Sequence, residues 1–383
     1  MAKRPETGKY LGKNSMIIGC TKKALDYIGV GVVEEKGQTD PLFSWTSNLM
    51  IVNRRKTLVV MNDKAKCCFI LYGITVKSIT QIQKLILDGI RSMMESEYIS
   101  NEIIEKYITD CSKNITFSKT ASRSVITYCN KACERVGLFS NLFDANDMFQ
   151  KNLLPWINDN LIASNGFCLP CEILVSSLKE KYGEPVRSAH MAELEVTLNL
   201  LTPCKRTIMI PSNFNFYQLH RVLQNIFEWE DYHYHHFILK KDVKGIPTTT
   251  VQPLFMQDEF LETQVIDSEK ITVREVFEKQ NLIEYEYDFG DSWMHTIKLN
   301  RFIKNCNDPY ARCIELVGDA PMEDCGGAHG FDELMKILTD PNHSEYDDIE
   351  RWLGMSEWHS SDLKQINFRI KDAYRCPIAT ARE

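Results

Sequence analysis

The sequence predicts an α+β protein built of two units, each a mostly antiparallel sheet with packed helices. Three observations carry that prediction. The chain has 383 residues, too many for one ordinary domain. Short alternating runs such as Leu194, Val196, Leu198 and Leu200 recur as half-buried strands. Between them stand stripes at helical spacing, the longest formed by Ile79, Ile82, Leu85, Ile86, Ile90, Met93 and Met94.

Residues 1–15 carry Lys3, Arg4, Lys9 and Lys13 against Glu6 and read as a flexible basic tail. A domain of unknown function is expected over residues 16–185. It begins with a strand at Met16-Ile17-Ile18 and a helix over Lys22 to Ile28. Three strand-like runs, Asn48 to Asn53, Thr57 to Asn62 and Cys67 to Tyr72, then predict an antiparallel meander. Helices are predicted over Ser78 to Ser96, Asn101 to Thr109 (capped by Asn101), Ser122 to Val136, Ala145 to Leu161 and Pro170 to Tyr182. Arg54-Arg55-Lys56 places cations at a hairpin tip, either a solvated turn or a phosphate contact. Cys168 and Cys171 have zinc-knuckle spacing but no matched second pair, so a buried thiol pair at a helix start is expected.

Glu180-Lys181-Tyr182-Gly183-Glu184-Pro185 breaks the helical pattern, and the second unit is expected over residues 190–383. Strands are predicted at Glu193 to Leu201 and Thr207 to Ile210. A helix over Asn213 to Phe227 follows, with Leu219, Val222, Leu223 and Ile226 inward. In Trp229-Glu230-Asp231-Tyr232-His233-Tyr234-His235-His236, residues two apart share a strand face, so His233 and His235 are expected to point the same way. Lys240 to Ser268 reads as an irregular excursion, and Ile271 to Phe277 resumes order.

The stretch Tyr285-Glu286-Tyr287-Asp288-Phe289-Gly290-Asp291-Ser292-Trp293-Met294-His295 is a hairpin. With Gly290-Asp291 as a two-residue loop, Asp288 faces Trp293 and Glu286 faces His295, with Tyr285, Tyr287 and Met294 opposite. Residues from Cys313 to Phe331 read as a loop, rich in glycine at 326, 327 and 330, that leads into a helix over Asp332 to Leu338. Helices over Asp347 to Trp352 and Leu363 to Arg369 close the chain.

Composition bounds the function. A net charge of -7 argues against a general nucleic-acid coat. The start lacks the apolar run of a signal peptide, and no stretch approaches the ~20 apolar residues of a membrane span. With thirteen scattered cysteines, reduced thiols and a cytoplasmic location are expected.

Two family resemblances emerge from these motifs. Met16 to about Val136, with Pro41-Leu42-Phe43-Ser44-Trp45, Asn53-Arg54-Arg55-Lys56 and Asn62-Asp63, resembles a bacterial domain of unknown function of type 6933. That likeness implies a fold alone. Glu193 to Phe368 resembles the plasmid pRiA4b Orf-3-like family, whose insertion-element naming implies a mobile-element association. The words that carry it are Leu219-His220, Trp229 with His233-Tyr234-His235, Tyr285 to His295, Glu323-Asp324-Cys325-Gly326-Gly327 with Gly330-Phe331, and Trp352-Leu353-Gly354. It implies an α+β fold with a curved sheet and no settled activity. Two departures stand out: Ala320-Pro321-Met322 replaces a cysteine and two prolines, and His236 stands where an acid is common.

These words are rich in side chains that a core does not require. His233, His235, Asp288, Asp291 and His295 are candidate ligands for a divalent metal, zinc or manganese. Glu323 and Asp324 are candidate catalytic carboxylates. A metal-bound water there would attack a phosphodiester or nucleotide, which is the hydrolase reading. In the competing reading the cluster is a structural network, and Trp229, Tyr234, Tyr287 and Trp293 line a binding surface for a protein or nucleic-acid partner. Partner and oligomeric state are left open by the sequence.

Overall fold

The computed structural model describes residues 16–33, 40–113, 115–120, 122–159, 168–256, 263–355 and 360–373, so the tail expected over residues 1–15 lies outside the described residues. The chain divides into two compact units, Met1–Ser188 and Ala189–Glu383. Each is α+β, a mixed sheet with helices packed on it.

The first unit opens with β1 (Met16–Cys20) and α1 (Lys22–Ile28), followed by the strands β2 (Ser44–Val52), β3 (Arg55–Asn62) and β4 (Cys68–Tyr72). After these come α2 (Val76–Ile79), α3 (Ile82–Ser96), α4 (Asn101–Ser112), β5 (Ile115–Lys119), α5 (Arg123–Leu138), α6 (Leu154–Asn158) and α7 (Pro170–Tyr182). Strands β2, β3 and β4 form the expected meander, and β1 runs parallel to both β2 and β5, giving the order β4-β3-β2-β1-β5. Asn53 and Arg54 close the β2–β3 turn with φ 46° and 64°, the left-handed pair that matches the twist of a hairpin. Arg55 lies over the Tyr72 ring and Lys56 over Tyr27, so two of the three tip cations are spent on packing. Helix α3 presses so closely on the sheet that a β-carbon at Gly89 would sit 2.3 Å from the Phe69 ring.

Two local expectations change. Ser100, not Asn101, caps α4 by accepting from the Ile103 amide. The helix expected over Ala145 to Leu161 shrinks to a 3-10 turn at Lys151–Leu153 and the short α6. Asp144 and Asp147 accept from the amides of Asn146 and Phe149 at 2.8 Å each, and these side chains compete with helical bonds.

The second unit begins with β6 (Ala189–Leu198), β7 (Cys204–Pro211) and α8 (Phe216–Ile226). Then come β8 (His235–Lys241), β9 (Pro247–Gln252), β10 (Gln264–Asp267) and α9 (Val273–Phe277). The chain goes on through β11 (Leu282–Tyr287), β12 (Trp293–Cys306) and β13 (Arg312–Val317), and ends in α10 (Gly327–Thr339), α11 (Tyr346–Met355) and α12 (Leu363–Ala373). The sheet order is β10-β9-β8-β11-β12-β6-β7-β13, antiparallel except between β9 and β10. Helix α8 lays Phe216, Leu219, Leu223 and Ile226 into the core, and Asn215 with Gln218 makes a capping box at its start. At its other end the buried Arg206 guanidinium donates to the carbonyls of Ile226, Val317 and Gly318, a cation placed where helix carbonyls lack partners.

The stretch read as an irregular excursion carries two strands. Thr249, Thr250 and Val251 are β-branched and buried, and β9 pairs with β8 through Phe237↔Val251. The loop expected from Cys313 to Phe331 likewise begins as β13, and α10 starts five residues earlier than expected, behind Gly326 at φ 87°.

The hairpin is the main correction. Its register pairs Tyr287 with Trp293, Glu286 with Met294 and Tyr285 with His295. The loop therefore runs from Asp288 to Ser292 instead of over Gly290-Asp291 alone. Asp288 is left-handed at φ 57°; its carboxylate accepts from the Gly290 amide at 2.9 Å and its carbonyl from Ser292 at 2.6 Å. This one-residue slip puts Tyr285, Tyr287, Trp293 and His295 together on the buried face and turns Glu284, Glu286 and Met294 to the other. Burying four rings decides the register.

Candidate functional site

The inner end of α8, the start of β8, the β11–β12 hairpin and the loop before α10 meet around a layer of aromatic rings. Trp229 stacks on Tyr287 with centroids 5.0 Å apart and lies 5.8 Å from Trp293. Its indole nitrogen donates to the Pro321 carbonyl at 2.9 Å, which anchors the loop ahead of Glu323. Trp229, Tyr287 and Trp293 are all buried, so none of them offers a stacking face to a partner, contrary to the sequence expectation. Tyr234 is 55% exposed and keeps that possibility, beside Tyr232 and Phe289.

The two histidines expected to share a strand face part company. His235 is the first residue of β8 and points inward. His233 precedes the strand, where the alternation does not apply, and faces two carboxylates. Its Nδ1 lies 3.7 Å from Asp288 Oδ1 and its Nε2 lies 3.4 Å from Asp324 Oδ1. One ligand atom from each of His233, Asp288 and Asp324 falls within 4.8 Å of the others. The His233 and Asp324 side chains are 28% and 76% exposed, so this group opens to solvent.

Two devices bring Asp324 there. Asp324 itself is left-handed at φ 58°, as is Asp288 across the site. The Gly326 amide donates to Asp291 Oδ2 at 3.3 Å, and Gly327 packs on the Asp291 backbone. Asp291 thus ties the loop to the hairpin tip and stands apart from the convergent three. Glu323 accepts from the Tyr287 hydroxyl and, at 2.7 Å, from the Glu230 amide. Burial raises its carboxyl above the usual range, against the opposing pull of the Tyr287 hydrogen bond. The Tyr287 hydroxyl is raised too, by burial and then by Glu323.

Deeper in the core lies a network that the sequence reading missed. His220 on α8 places Nδ1 2.8 Å from the Tyr285 hydroxyl and Nε2 2.8 Å from Asp231 Oδ1. Arg221 donates to Asp231 Oδ2 at 2.8 Å, and Gln224 donates to the Tyr285 hydroxyl at 3.2 Å. Burial pushes the Asp231 carboxyl upward, but His220 and Arg221 together bring it below its ordinary value. The signal for His220 was a histidine inside the apolar stripe of α8, next to Leu219.

His295, expected beside Asp288, instead sits wholly inside, edge-on to Trp229 and with Nδ1 3.3 Å from the Tyr285 carbonyl. Burial brings its pKa down from 6.5 to about 3. Burial also holds His235 well below the ordinary histidine value of 6.5, helped by His220 and His236. Both imidazoles are neutral groups of the interior.

With this geometry in place, comparison with known proteins bears out both resemblances. Residues 190–367 match the family described as plasmid pRiA4b ORF-3-like protein, and residues 17–173 match the domain of unknown function DUF6933. An uncharacterised protein designated y4hQ from Sinorhizobium fredii is 28% identical over 189 residues, 48% of this chain and 92% of its own. A crystal structure of a protein of unknown function, MM3350 from Methanosarcina mazei, is 26% identical over 46% of this chain and 96% of its own, with a TM-score of 0.40.

Proposed function

We propose that the second unit is a divalent-metal-dependent hydrolase of a phosphodiester or nucleotide, acting in the cytoplasm as part of a mobile-element-associated protein. One observation carries the reading: His233, Asp288 and Asp324, from three separate segments, bring ligand atoms within 4.8 Å of one another at an open surface. One imidazole and two carboxylates form a set that favours manganese over zinc, with positions left for water and substrate. The metal would lower the pKa of a bound water and polarise a phosphoryl oxygen. Glu323, next to Asp324 and held in place by Tyr287 and Glu230, is the residue to take the water proton. Tyr234 and Phe289, both about half exposed, suit the stacking of a base.

The cytoplasmic part rests on the thirteen cysteines, scattered through the chain without the spacing of a compact disulfide framework. No described helix is long and apolar enough to cross a membrane. The mobile-element part rests on the plasmid named in the matched family's description.

The test is turnover of an activated phosphodiester by tag-free protein, stripped of metal and resupplied with manganese. Activity should require the metal and fall by roughly 10- to 100-fold or more in Asp324→Asn. Binding of a mononucleotide without turnover would instead favour a non-catalytic module.

A further inference from the structure

We infer that His220, Asp231 and His235 form a second metal site, buried and distinct from the open one, whose preferred occupant is zinc. One donor atom from each lies within 4.8 Å of the other two. They come from α8, from the turn that follows it and from the first residue of β8. The rings of His220 and His235 lie face to face, with centroids 3.5 Å apart and planes inclined by 8°.

Two features separate this group from an ordinary core contact. His220 and Asp231 already carry the outer partners that orient a ligating imidazole and carboxylate: Tyr285 on His220 Nδ1 and Arg221 on Asp231 Oδ2, each at 2.8 Å. His235 carries none. It is 1% exposed, and neither ring nitrogen has a hydrogen-bond partner among the described residues. Burying a polar atom bare is costly, and native interiors avoid it. An ion between the three side chains gives one His235 nitrogen the partner it lacks.

The donor set chooses the ion. Two imidazoles and one carboxylate suit zinc, which takes such ligands at about 2.0–2.2 Å in a four-coordinate shell. Tetrahedral donors at those bond lengths stand roughly 3.3 Å apart, so Asp231 moves outward from its 2.8 Å contact with His220 Nε2. The His235 ring turns out of its stack on His220, so that an in-plane nitrogen lone pair of each ring reaches the ion. On binding, His220 Nε2 exchanges its contact with Asp231 for the metal, and Nδ1 donates to the Tyr285 oxygen. Only the tautomer changes, and the imidazole gains or loses no proton. A metal here would pin α8 to the start of β8, two residues from His233, and so support the open site from beneath.

Anomalous diffraction at the zinc edge, on crystals of the tag-free full chain grown with zinc, tests this directly. The expected result is a peak between His220, Asp231 and His235. In solution, His235→Gln should lose one equivalent of tightly held zinc that Asp324→Asn retains. Should His235→Gln fail to fold, the anomalous map of the unaltered protein decides alone. A water, or no density, between the three side chains overturns the inference, as does undiminished zinc in His235→Gln. A peak at His233, Asp288 and Asp324 alone also overturns it while leaving the hydrolase reading standing. The reverse pattern keeps this site and leaves the open one, whose donor set favours manganese, to the manganese-dependent turnover assay.

Discussion

Gly327 rests against the backbone of Asp291 so closely that a β-carbon would stand 2.5 Å from the Asp291 carbonyl oxygen. Gly327 also has φ 67°, where a side chain is strained whatever the space. This contact seats the loop carrying Glu323 and Asp324 on the hairpin that carries Asp288. Gly327→Ala is therefore expected to cost about 1–3 kcal/mol of stability. Manganese affinity should fall as well, because Asp324 is carried away from His233. Denaturant unfolding with parallel metal titration checks both, and unchanged affinity in a destabilised variant would uncouple the contact from the site.

Tyr285 is the hub of the buried network. Its hydroxyl meets His220 Nδ1 at 2.8 Å and Gln224 Nε2 at 3.2 Å, and its side chain is fully buried. Tyr285→Phe keeps the ring and strands both partners, so a loss of about 1–3 kcal/mol is expected. A loss well below 1 kcal/mol in urea unfolding would show that the hydroxyl is not the hub.

The hairpin shows how far the sequence could be read. Alternation identified both strands, yet it could not say which residue turns the chain. Gly290-Asp291 was the stronger turn signal, but Asp288 took the left-handed conformation and moved every face by one residue. Helix α7 was legible from Pro170 at its first position and Gly183 behind its last, and α8 from its capping box and apolar stripe, all of them local signals. The His220 network was not, since its partners Asp231 and Tyr285 lie 11 and 65 residues further along the chain. Periodicity reports a face and says nothing of what that face will meet. The group of His233, Asp288 and Asp324 was readable by residue type alone; its geometry came from left-handed residues outside the regular strands.

The aromatic residues divide by burial, and substitution should divide them likewise. Tyr234 is half exposed, and Tyr234→Ala should stay within about 0.5 kcal/mol of the parent while weakening capture of a nucleotide. Trp293 is 1% exposed and packs against Trp229, so Trp293→Ala should cost about 3–5 kcal/mol. Thermal unfolding and a fluorescent-nucleotide titration separate the two. Equal destabilisation by both changes would contradict the assigned faces.

The last prediction concerns pH. His295 has a pKa of about 3 in the fold against 6.5 for an ordinary histidine, because burial disfavours its charged form. Between those values the unfolded chain binds a proton at this position and the folded chain does not. The contribution is complete above 6.5 and is lost as pH falls from 6.5 through about 3. Within that window His295 adds up to roughly 1.4 kcal/mol per pH unit to the slope of stability against pH. His295→Gln has no group to titrate, so its stability should decline less steeply over the same interval, whatever its absolute value. Urea unfolding of both proteins at closely spaced pH values compares the slopes. Parallel slopes would mean that His295 takes up its proton in the fold as readily as in the unfolded chain, and that the ring is not held in the interior.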